Sequence, residues 1–580
     1  MALTLGLQTG HEASAVLFDG PRLLAALSDE RISRIKNDGG RFTHTGLNGV
    51  LGIAGRAQAE IQRLALLYTF FPDAYVRRES WLKELERGWV RQRRRRAGAE
   101  RPQLLLGNFL ERLRARGRDF DAHFRRDAFL RHEGFDAGAS VRFFDHHASH
   151  ALPAAYYSGF RDCAVITMDG EGDRLSHTSG LWRAGQYQRL HHTGCDGVSP
   201  GLFYSHITRL LGFQAMRHEG KVVGLAALGD AGKLRAAFAR ALRAREDGSG
   251  FTSDFAGQPQ AEAARLAYLR AAIAGHGRED IAAAAQQVLE DAALDVVRSF
   301  LRATGQRRVA LNGGVFANVK LNQRIMELPE VEEIFVFPAM SDTGNSIGAV
   351  LLDWQDTHPG WLADNAPLDT VYWGPEYGPE RIAAALDAAG LAAERLDETA
   401  LVTRAAAAIH AGRVVGWFQG RMEFGPRALG NRSMLARPTE NAINDWLNQR
   451  LDRSEFMPFA PSALAEHADA LFENVAKARH TAEFMTITFD VRPEWRTRIP
   501  AVVHVDGTAR PQLVRADRNP LYHRLISAYH ALSGIPLLLN TSFNVHEEPI
   551  VCAPPEAIRA FTEKRVDCLG IGPYWLEHPA

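Results

Sequence analysis

Residues 3–28, LTLGLQTGHEASAVLFDGPRLLAALS, predict three successive strands. Short apolar runs bounded by glycine-containing turns are typical of strands, and this stretch has three of them. The predicted strands are Leu3–Leu7, Ala15–Phe18 and Arg22–Ser28, separated by Gly10-His11-Glu12-Ala13-Ser14 and by Asp19-Gly20-Pro21. The chain therefore opens with a strand, a polar glycine turn and two further strands.

Residues 163–190 repeat this plan. The second copy has predicted strands at Cys163–Met168, Thr178–Trp182 and Tyr187–Leu190, with turns at Asp169-Gly170-Glu171-Gly172-Asp173 and Ala184-Gly185. A plan of this kind, used twice, resembles the duplicated phosphate-handling core of the actin, sugar-kinase and Hsp70 group (the ASKHA fold). In that group the two hairpin turns face each other across a nucleotide cleft, and the resemblance implies the same arrangement here.

Length, charge and cysteine usage bound the class of protein. A chain of 580 residues is too long for one core and predicts two domains. Lysine plus arginine and aspartate plus glutamate both number 68, so nothing in the net charge favours nucleic acid or a membrane. The N-terminus lacks a basic signal-peptide region, and no apolar run is long enough to span a bilayer. The cysteines form no Cys-x-x-Cys pair, and we expect a cytoplasmic protein: Cys163, Cys195, Cys552 and Cys568.

The pattern along the chain predicts an α/β protein with two domains. Residues 1–358 form the first, residues 359–371 a linker with Pro359, Gly360 and Pro367 and no clear periodicity, and residues 372–580 a second α/β domain. A helical insertion at about 74–133 interrupts the first domain and carries an arginine run at 91–96. That run is either a clamp for an anionic partner or a solvated helix face, and charge runs mostly face water.

Glycine loops follow several predicted strands of the first domain. Asn312-Gly313-Gly314-Val315 follows the strand Val309–Leu311, and Pro338–Asn345 follows the strand Ile334–Phe337. Free backbone N–H groups at such strand ends can receive phosphate or ribose, although glycine also simply makes turns.

The stretch Asp145-His146-His147-Ala148-Ser149-His150 predicts a metal-binding helix. His146 and His150 are four residues apart, which places both rings on one helix face, and Asp145 is a plausible N-cap. The alternative is a pair of hydrogen-bonded core histidines without a metal. Further ligands are available from Asp169 and Asp342, which follow apolar strands and would otherwise be turn formers. Two imidazoles with one or two carboxylates suit Fe(II), Mn or Zn with open positions.

A basic loop at 419–433 marks the second domain. It follows the predicted strand Val414–Phe418 and contains Arg421, Arg427 and Arg432 among glycines and apolar residues. Arginine presents a planar fork of donors that suits phosphate or carboxylate, so we expect an oxyanion site rather than surface arginines. Arg510 and Ser542 could add donors.

Six motifs occur in one order along the chain: Gly10–Ser14, Asp145–Ala151, Glu219–Ala226, Gly425–Ser433, Pro458–Ser462 and Asn540–Asn544. This ordered set resembles the O-carbamoyltransferases of antibiotic tailoring and of nodulation-factor synthesis. The resemblance implies an actin-like N-terminal domain and a C-terminal twisted-sheet domain of the YrdC-like type. It implies that the C-terminal domain makes carbamoyl-adenylate from carbamoyl phosphate and ATP with Mg²⁺. The N-terminal domain would pass the carbamoyl group to a hydroxyl of a small natural product or sugar.

The resemblance also implies roles for residues. His146, His150, Asp169 and Asp342 would hold Fe(II), with the ribose of the adenylate completing the shell, and His11 would accept the acceptor's proton. We assign adenylate binding in the first domain to Lys221, Gly224, Asn312, Gly313, Gly314 and Asn318. We assign the binding of carbamoyl phosphate and ATP in the second domain to Arg421, Arg427, Arg432, Arg453, Arg510, Ser542 and Asn544.

The chain departs from this family's pattern in two places. Many relatives carry Lys-x-Arg-Glu-x-Phe-Arg-Pro-Phe where this chain has Leu451–Phe459, so Leu451 replaces the lysine and Met457 the second arginine. We expect the phosphate site to be built differently, with Arg450 or Arg453. Pro153 removes an N–H that would bond to Ser149, so we expect a kink after His150.

Other functions fit the sequence less well. Carbamoyl or threonylcarbamoyl transfer to tRNA would favour a basic protein. Hydrogenase-maturation carbamoyl enzymes need Cys-x-x-Cys pairs, and a sugar kinase leaves the second domain unexplained. A binding or scaffold homologue with a dead site would not need all four metal ligands together with His11. A homodimer is one oligomeric state that the sequence leaves open.

Overall fold

Two five-stranded sheets in the N-terminal half share one strand plan. The computed structural model describes residues 2–68, 75, 124–195, 198–258, 260–450, 459–545 and 547–579. The first sheet has the order β3-β2-β1-β4-β5. Its strands are β1 Leu3–Gln8, β2 Ser14–Asp19, β3 Arg22–Ser28, β4 Arg63–Leu67 and β5 Ser140–Phe144.

The second sheet has the matching order β8-β7-β6-β11-β12. Its strands are β6 Asp162–Gly172, β7 Leu175–Arg183, β8 Gln186–Gly194, β11 Arg308–Asn312 and β12 Glu333–Val336, with a separate hairpin of β9 Arg243–Ala244 and β10 Phe251–Thr252. In each large sheet three antiparallel strands are extended by two parallel ones. The predicted duplication is therefore confirmed.

The first turn of the second copy lies further along the chain than predicted. Strand β6 does not end at Met168: after an irregularity in register it pairs again at Gly172 with Leu175. The reversal falls at Asp173 and Arg174, whose φ angles of 47° and 65° are left-handed, as a two-residue hairpin turn requires. Asp169 therefore sits in a bulge within the strand rather than in a free turn.

Two helices lie between the sheets. Among the described residues of this half the helices are α1 Glu30–Ser33, α2 His44–Ala54, α3 Arg126–Glu133, α4 His146–Tyr157, α5 Pro200–Leu210, α6 Glu219–Ala226, α7 Arg235–Ala239, α8 Ala261–Ala272, α9 Arg278–Thr304, α10 Val319–Met326, α11 Asn345–Thr357 and α12 Pro359–Ala363. Helix α4 packs on β6 and β11, α11 packs on β1 and β4, and the two helices pack on each other. The order sheet, helix, helix, sheet brings the starts of α4 and α11 together.

Missing side chains allow α4 and α11 to touch. A Cβ atom added to Gly348 of α11 would lie 1.8 Å from the carbonyl oxygen of Ser149. That carbonyl is the one that Pro153 leaves without a helical N–H donor, and α4 continues past Pro153 to Tyr157. On the other side of α11, a Cβ added to Gly6 would lie 2.2 Å from the carbonyl oxygen of Ser346.

The C-terminal half is built on one mixed sheet of eight strands in the order β13-β22-β21-β14-β15-β20-β16-β19. Its strands are β13 Glu394–Arg395, β14 Val415–Phe418, β15 Arg432–Ala436, β16 Ala460–Leu464, β19 Gln512–Val514, β20 Leu537–Ser542, β21 Cys568–Ile571 and β22 Tyr574–Glu577, beside a pair of β17 Phe489–Asp490 and β18 Thr508–Ala509. The helices are α13 Pro379–Ala388, α14 Glu398–His410, α15 Ala442–Arg450, α16 Ala468–Leu471, α17 Pro493–Arg496, α18 Pro520–Ser533 and α19 Pro554–Thr562.

The two halves share buried apolar contacts. One hydrophobic cluster contains residues of α9 and β11 together with residues of β14, β16 and α18. The segment predicted as a linker is packed as well, because Leu362, Leu368 and Val371 are buried in the cluster that holds α4 and α11. The domain bounds themselves remain a prediction.

Some predicted features lie outside the described residues. Arg453 is one of them, as are Leu451 and Met457, the two positions that depart from the family's pattern. Most of the insertion at 74–133 is another, including the arginine run at 91–96. The end of the insertion is helical in α3. No helix within the described ranges combines the length and apolar character that a bilayer crossing requires.

Two glycine-to-alanine substitutions should have opposite effects on stability, because only one of the two glycines lies at the contact between α4 and α11. Gly348→Ala must push the helices apart and should destabilise the protein by about 2 kcal/mol or more, as overpacking does. Gly52→Ala, in helix α2 where the added Cβ meets nothing within 4 Å, should stabilise it by about 0.5–1 kcal/mol. Thermal unfolding of both variants measures this. An unchanged unfolding temperature for Gly348→Ala would contradict the close approach.

Candidate functional site

Four side chains converge where α4, β6 and the start of α11 meet. The Nε2 atom of His146 lies 3.0 Å from Oδ2 of Asp169 and 3.4 Å from Oδ1 of Asp342. The Nε2 atom of His150 lies 3.5 and 3.4 Å from the same two oxygens. The two Nε2 atoms are 3.1 Å apart. All four predicted ligands therefore face one point.

Local contacts fix the histidine helix. Asp145 is its N-cap, as predicted, since its side chain accepts a hydrogen bond from the Ala148 N–H at 2.8 Å. Asp173, in the hairpin turn, accepts from the His146 N–H at 2.7 Å. Gly172 leaves room for the ring, because a Cβ there would lie 2.0 Å from the His146 ring. The start of α4 is thus attached to the β6–β7 hairpin.

His147 fits the alternative interpretation of a hydrogen-bonded core histidine. Its Nε2 donates to the carbonyl of Leu175 at 3.0 Å, and its Nδ1 lies 2.8 Å from the Thr167 hydroxyl. Burial lowers its pKa to about 3, so it is neutral. It holds α4 to the second sheet and points away from the four converging residues.

The four residues could hold a metal ion. Ligands about 2.1 Å from one ion, at angles between a right angle and a tetrahedral angle, are about 3.0–3.5 Å from one another. The measured separations of 3.0 to 3.5 Å fall in that range. Two imidazoles and two carboxylates are also a suitable donor set for a divalent first-row metal.

The electrostatics of the site favour a cation. Burial alone would lower the pKa of His146, but Asp342 and Asp169 outweigh it and raise the pKa to about 10. Burial opposes ionisation of Asp169, yet hydrogen bonds from His146 and His150 hold its pKa well below its usual range. The two carboxylates therefore stabilise positive charge at this point.

The turn that carries His11 lies against the loop that carries Asp342. Gln8 donates to Oδ2 of Asp342 at 3.3 Å, and Thr343 donates to Glu12 at 3.4 Å. Asn37 donates to Glu12 at 2.8 Å, and its Nδ2 is 3.5 Å from Nε2 of His11. The loop from β1 to β2 is thus placed beside Asp342.

The residues predicted to bind adenylate fall into two groups. Asn312, Gly313 and Gly314 lie at the site: Asn312 donates to the His150 carbonyl at 2.6 Å, and a Cβ on Gly314 would lie 2.8 Å from Oδ1 of Asp169. Asn318 instead caps α10 and bonds to Gln286 at 2.8 Å. Lys221 and Gly224 are buried on α6, with the Lys221 amine 6.0 Å from the centre of the Phe213 ring.

A second site is a cavity of about 310 Å³ between the two halves. Four of the residues predicted to bind carbamoyl phosphate and ATP line it: Arg427, Arg510, Ser542 and Asn544. The lining also includes Lys36, Arg217, His218 and Gly220 from the N-terminal half, which form a wall contributed by that half. Sequence reasoning missed this wall because no spacing relates it to the C-terminal loops.

The other two arginines of the predicted oxyanion loop do not line this cavity. Arg432 is fully buried, donates to the carbonyls of Gln419 at 2.6 Å and Gly420 at 3.2 Å, and lies 3.7 Å from the centre of the Phe418 ring. Arg421 donates to the carbonyls of Leu24 at 2.8 Å and Trp373 at 2.7 Å. Their guanidinium groups hold the loop in place, and Arg427 is left as its cavity-facing cation.

The geometry predicts that metal binding needs the carboxylate of Asp342 but not that of Asp173. Asp342→Asn removes an anionic ligand and should weaken Fe(II) binding more than tenfold. Asp173→Asn is the matched control: Asp173 lies beside the site, and an asparagine oxygen can still accept from the His146 N–H. Metal content after reconstitution and gel filtration measures both. Equal iron in the two variants would contradict the assignment of Asp342.

Comparisons with known proteins identify the family of this chain. Family models for the carbamoyltransferase N-terminus and C-terminus match residues 3–351 and 406–578. Nodulation protein NolNO of Sinorhizobium fredii is 33% identical over 574 residues, covering 98% of this chain and 79% of that protein. The 3'-hydroxymethylcephem-O-carbamoyltransferase of Streptomyces clavuligerus is 33% identical over 269 residues, 46% of this chain and 48% of that one.

Among solved structures, the likeness is more distant. HypF of T. kodakarensis matches with a TM-score of 0.34 and 11% identity, covering 62% of this chain and 48% of that one. A ROK family glucokinase of Streptomyces griseus matches with a TM-score of 0.30 and 12% identity, covering 60% of this chain and 99% of that one. The two family models together span most of the sequence. The chain therefore belongs to the carbamoyltransferase family and is a carbamoyl-transferring enzyme.

Proposed function

We propose that this protein is an ATP-dependent O-carbamoyltransferase that makes and uses carbamoyl-adenylate. The observation that carries the proposal is the presence of two separate sites: a basic cavity lined by Arg427 and Arg510, and the buried group of two histidines and two aspartates. We assign the first to adenylate synthesis and the second to carbamoyl transfer. We also propose that the N-terminal half is actin-like and the C-terminal sheet YrdC-like.

Adenylate synthesis needs cations around phosphates. Carbamoyl phosphate is hydrolysed to carbamate and phosphate, and a carbamate oxygen then attacks the α-phosphorus of ATP, bound with Mg²⁺, as pyrophosphate leaves. Arg427 and Arg510 would offset the negative charge of these groups. Ser542 and Asn544, at the end of β20, offer polar side chains to the same cavity. Arg453, outside the described residues, would add a cation.

Carbamoyl transfer needs a base beside the bound adenylate. The acceptor hydroxyl attacks the carbamoyl carbon, His11 takes the hydroxyl proton, and the bond to the AMP phosphate oxygen breaks to release AMP. The contacts of Gln8 with Asp342 and of Glu12 with Thr343 support this role, because Gln8 and Glu12 flank His11 in the same loop. Asn312 and Gly314 lie beside His150 and Asp169, and together with Gly313 they would contact the adenylate. A divalent ion, which we propose to be Fe(II), would anchor the ribose and polarise the adenylate.

The acceptor is a small hydroxylated compound in this proposal. A zero formal net charge does not favour a nucleic acid acceptor. Carbamoyl-adenylate hydrolyses readily in water, and holding both sites in one chain would limit its exposure to solvent.

The first half-reaction can be tested without knowing the acceptor. Protein supplied with iron, carbamoyl phosphate, ATP and Mg²⁺ should release AMP and pyrophosphate slowly, as the adenylate hydrolyses. Omitting carbamoyl phosphate should reduce both products to background. ATP turnover that does not depend on carbamoyl phosphate would refute adenylate formation.

A substitution of the proposed base should separate the two steps. His11→Asn is expected to keep carbamoyl-phosphate-dependent pyrophosphate release and to lower transfer to a hydroxylated acceptor by about 100-fold or more. His192→Asn, at an exposed histidine on β8, serves as the matched control and should leave both steps unchanged. Equal loss of both steps in His11→Asn would show that His11 is not the base.

A further inference from the structure

A short segment of the N-terminal half reaches into the C-terminal half. After β3, Arg31 donates to the carbonyl of Gly425 at 2.7 Å. Arg34 donates to the carbonyls of Pro549 at 2.6 Å and Ile550 at 2.8 Å. Both arginines therefore bind backbone carbonyls that are close in sequence to Arg427 and Glu548, which line the cavity. We call residues 30–37, which include both arginines, the crossing segment.

Lys36 of the crossing segment lines the cavity together with Arg427 and Arg510. Its amine is 3.6 Å from Glu30, but Glu30 also pairs with Arg31 at 3.0 Å. Glu30 is thus shared between two cations, and the Glu12 carboxylate also acts on the Lys36 amine. Burial lowers the pKa of Lys36 and Glu30 partly restores it, so an anionic ligand would further stabilise the charged amine.

The carboxylates of the cavity are already paired. Glu547 lies 2.7 Å from His218 and 3.3 Å from Arg217, and Glu548 lies 2.9 Å from Arg559. They therefore contribute little uncompensated negative charge. The cavity wall keeps a surplus of cations, which suits a ligand with several negative charges.

The loops of the C-terminal half that were predicted to bind phosphate contain few other cations that could face the cavity. The stretch 451–457 contains a single one, Arg453, among Leu451, Phe456 and Met457. Arg421 and Arg432 donate to backbone carbonyls, as described above. A cation that crosses from the N-terminal half would supply charge that the C-terminal loops lack.

We propose that Lys36 binds a phosphate group of carbamoyl phosphate or ATP, so that the phosphate site is built from both halves of the chain. This inference rests on the proposed function of the cavity. The next residue, Asn37, donates to Glu12 at 2.8 Å and lies beside His11. The crossing segment therefore touches the phosphate cavity with one residue and the proposed transfer base with the next.

The test compares three variants in carbamoyl-phosphate-dependent pyrophosphate release. Lys36→Met removes the charge and should raise the KM for carbamoyl phosphate or for ATP about tenfold or more; the substrate affected shows which phosphate is bound. Lys36→Arg keeps a cation and should restore most of that loss. Lys477→Met is the control, because Lys477 also joins the two halves, donating to the Met326 carbonyl at 3.2 Å, but does not line the cavity.

The outcomes separate this inference from the proposed function. Wild-type protein without carbamoyl-phosphate-dependent turnover would refute the function itself. Active wild-type protein together with unchanged KM values for both substrates in Lys36→Met would overturn the role of Lys36 alone.

A second measurement needs no variant. Amine-reactive labelling of the wild type, followed by peptide mass spectrometry, should show ATP or carbamoyl phosphate protecting Lys36 but not Lys477. Equal labelling of Lys36 with and without both ligands would also overturn the inference.

Discussion

The N-terminal half depends on a single constraint: two buried imidazoles and two carboxylates must share a volume small enough for one ion. His146 and His150 are fully buried, and Asp169 and Asp342 are only 15% and 14% exposed. Removing such groups from water is costly unless opposite charges compensate within the site. A proton on His146 compensates part of the negative charge, and the two carboxylates therefore raise the pKa of His146. A divalent cation would compensate both carboxylates.

This constraint explains features of the fold that lie away from the site. Helices α4 and α11 can deliver their N-terminal ends to one point only by packing in contact, and Gly348 leaves out the side chain that would prevent it. Gly6 of β1 allows the same close approach on the other side of α11. The bulge in β6 turns Asp169 toward α4 while the hairpin continues to Asp173, which fixes the first N–H of that helix. The duplicated sheets act as the rigid frame that holds these parts.

Local patterns were sufficient to predict part of this arrangement. The i, i+4 spacing identified His146 and His150, apolar runs located the strands, and strand ends pointed to Asp169 and Asp342. Tertiary contacts decided the rest. Arg421, Arg427 and Arg432 look alike in one loop, yet only Arg427 faces the cavity, because backbone carbonyls such as that of Leu24 bind the others. Lys36 carries no motif, and its position depends on how the two halves pack.

We infer that the four residues form one metal centre. The most direct measurement is anomalous diffraction from a crystal of the iron-loaded protein, with data collected on both sides of the iron absorption edge. We expect one anomalous peak bounded by Nε2 of His146, Nε2 of His150 and one carboxylate oxygen each of Asp169 and Asp342. A peak elsewhere, or none in protein whose iron content has been verified, would contradict it.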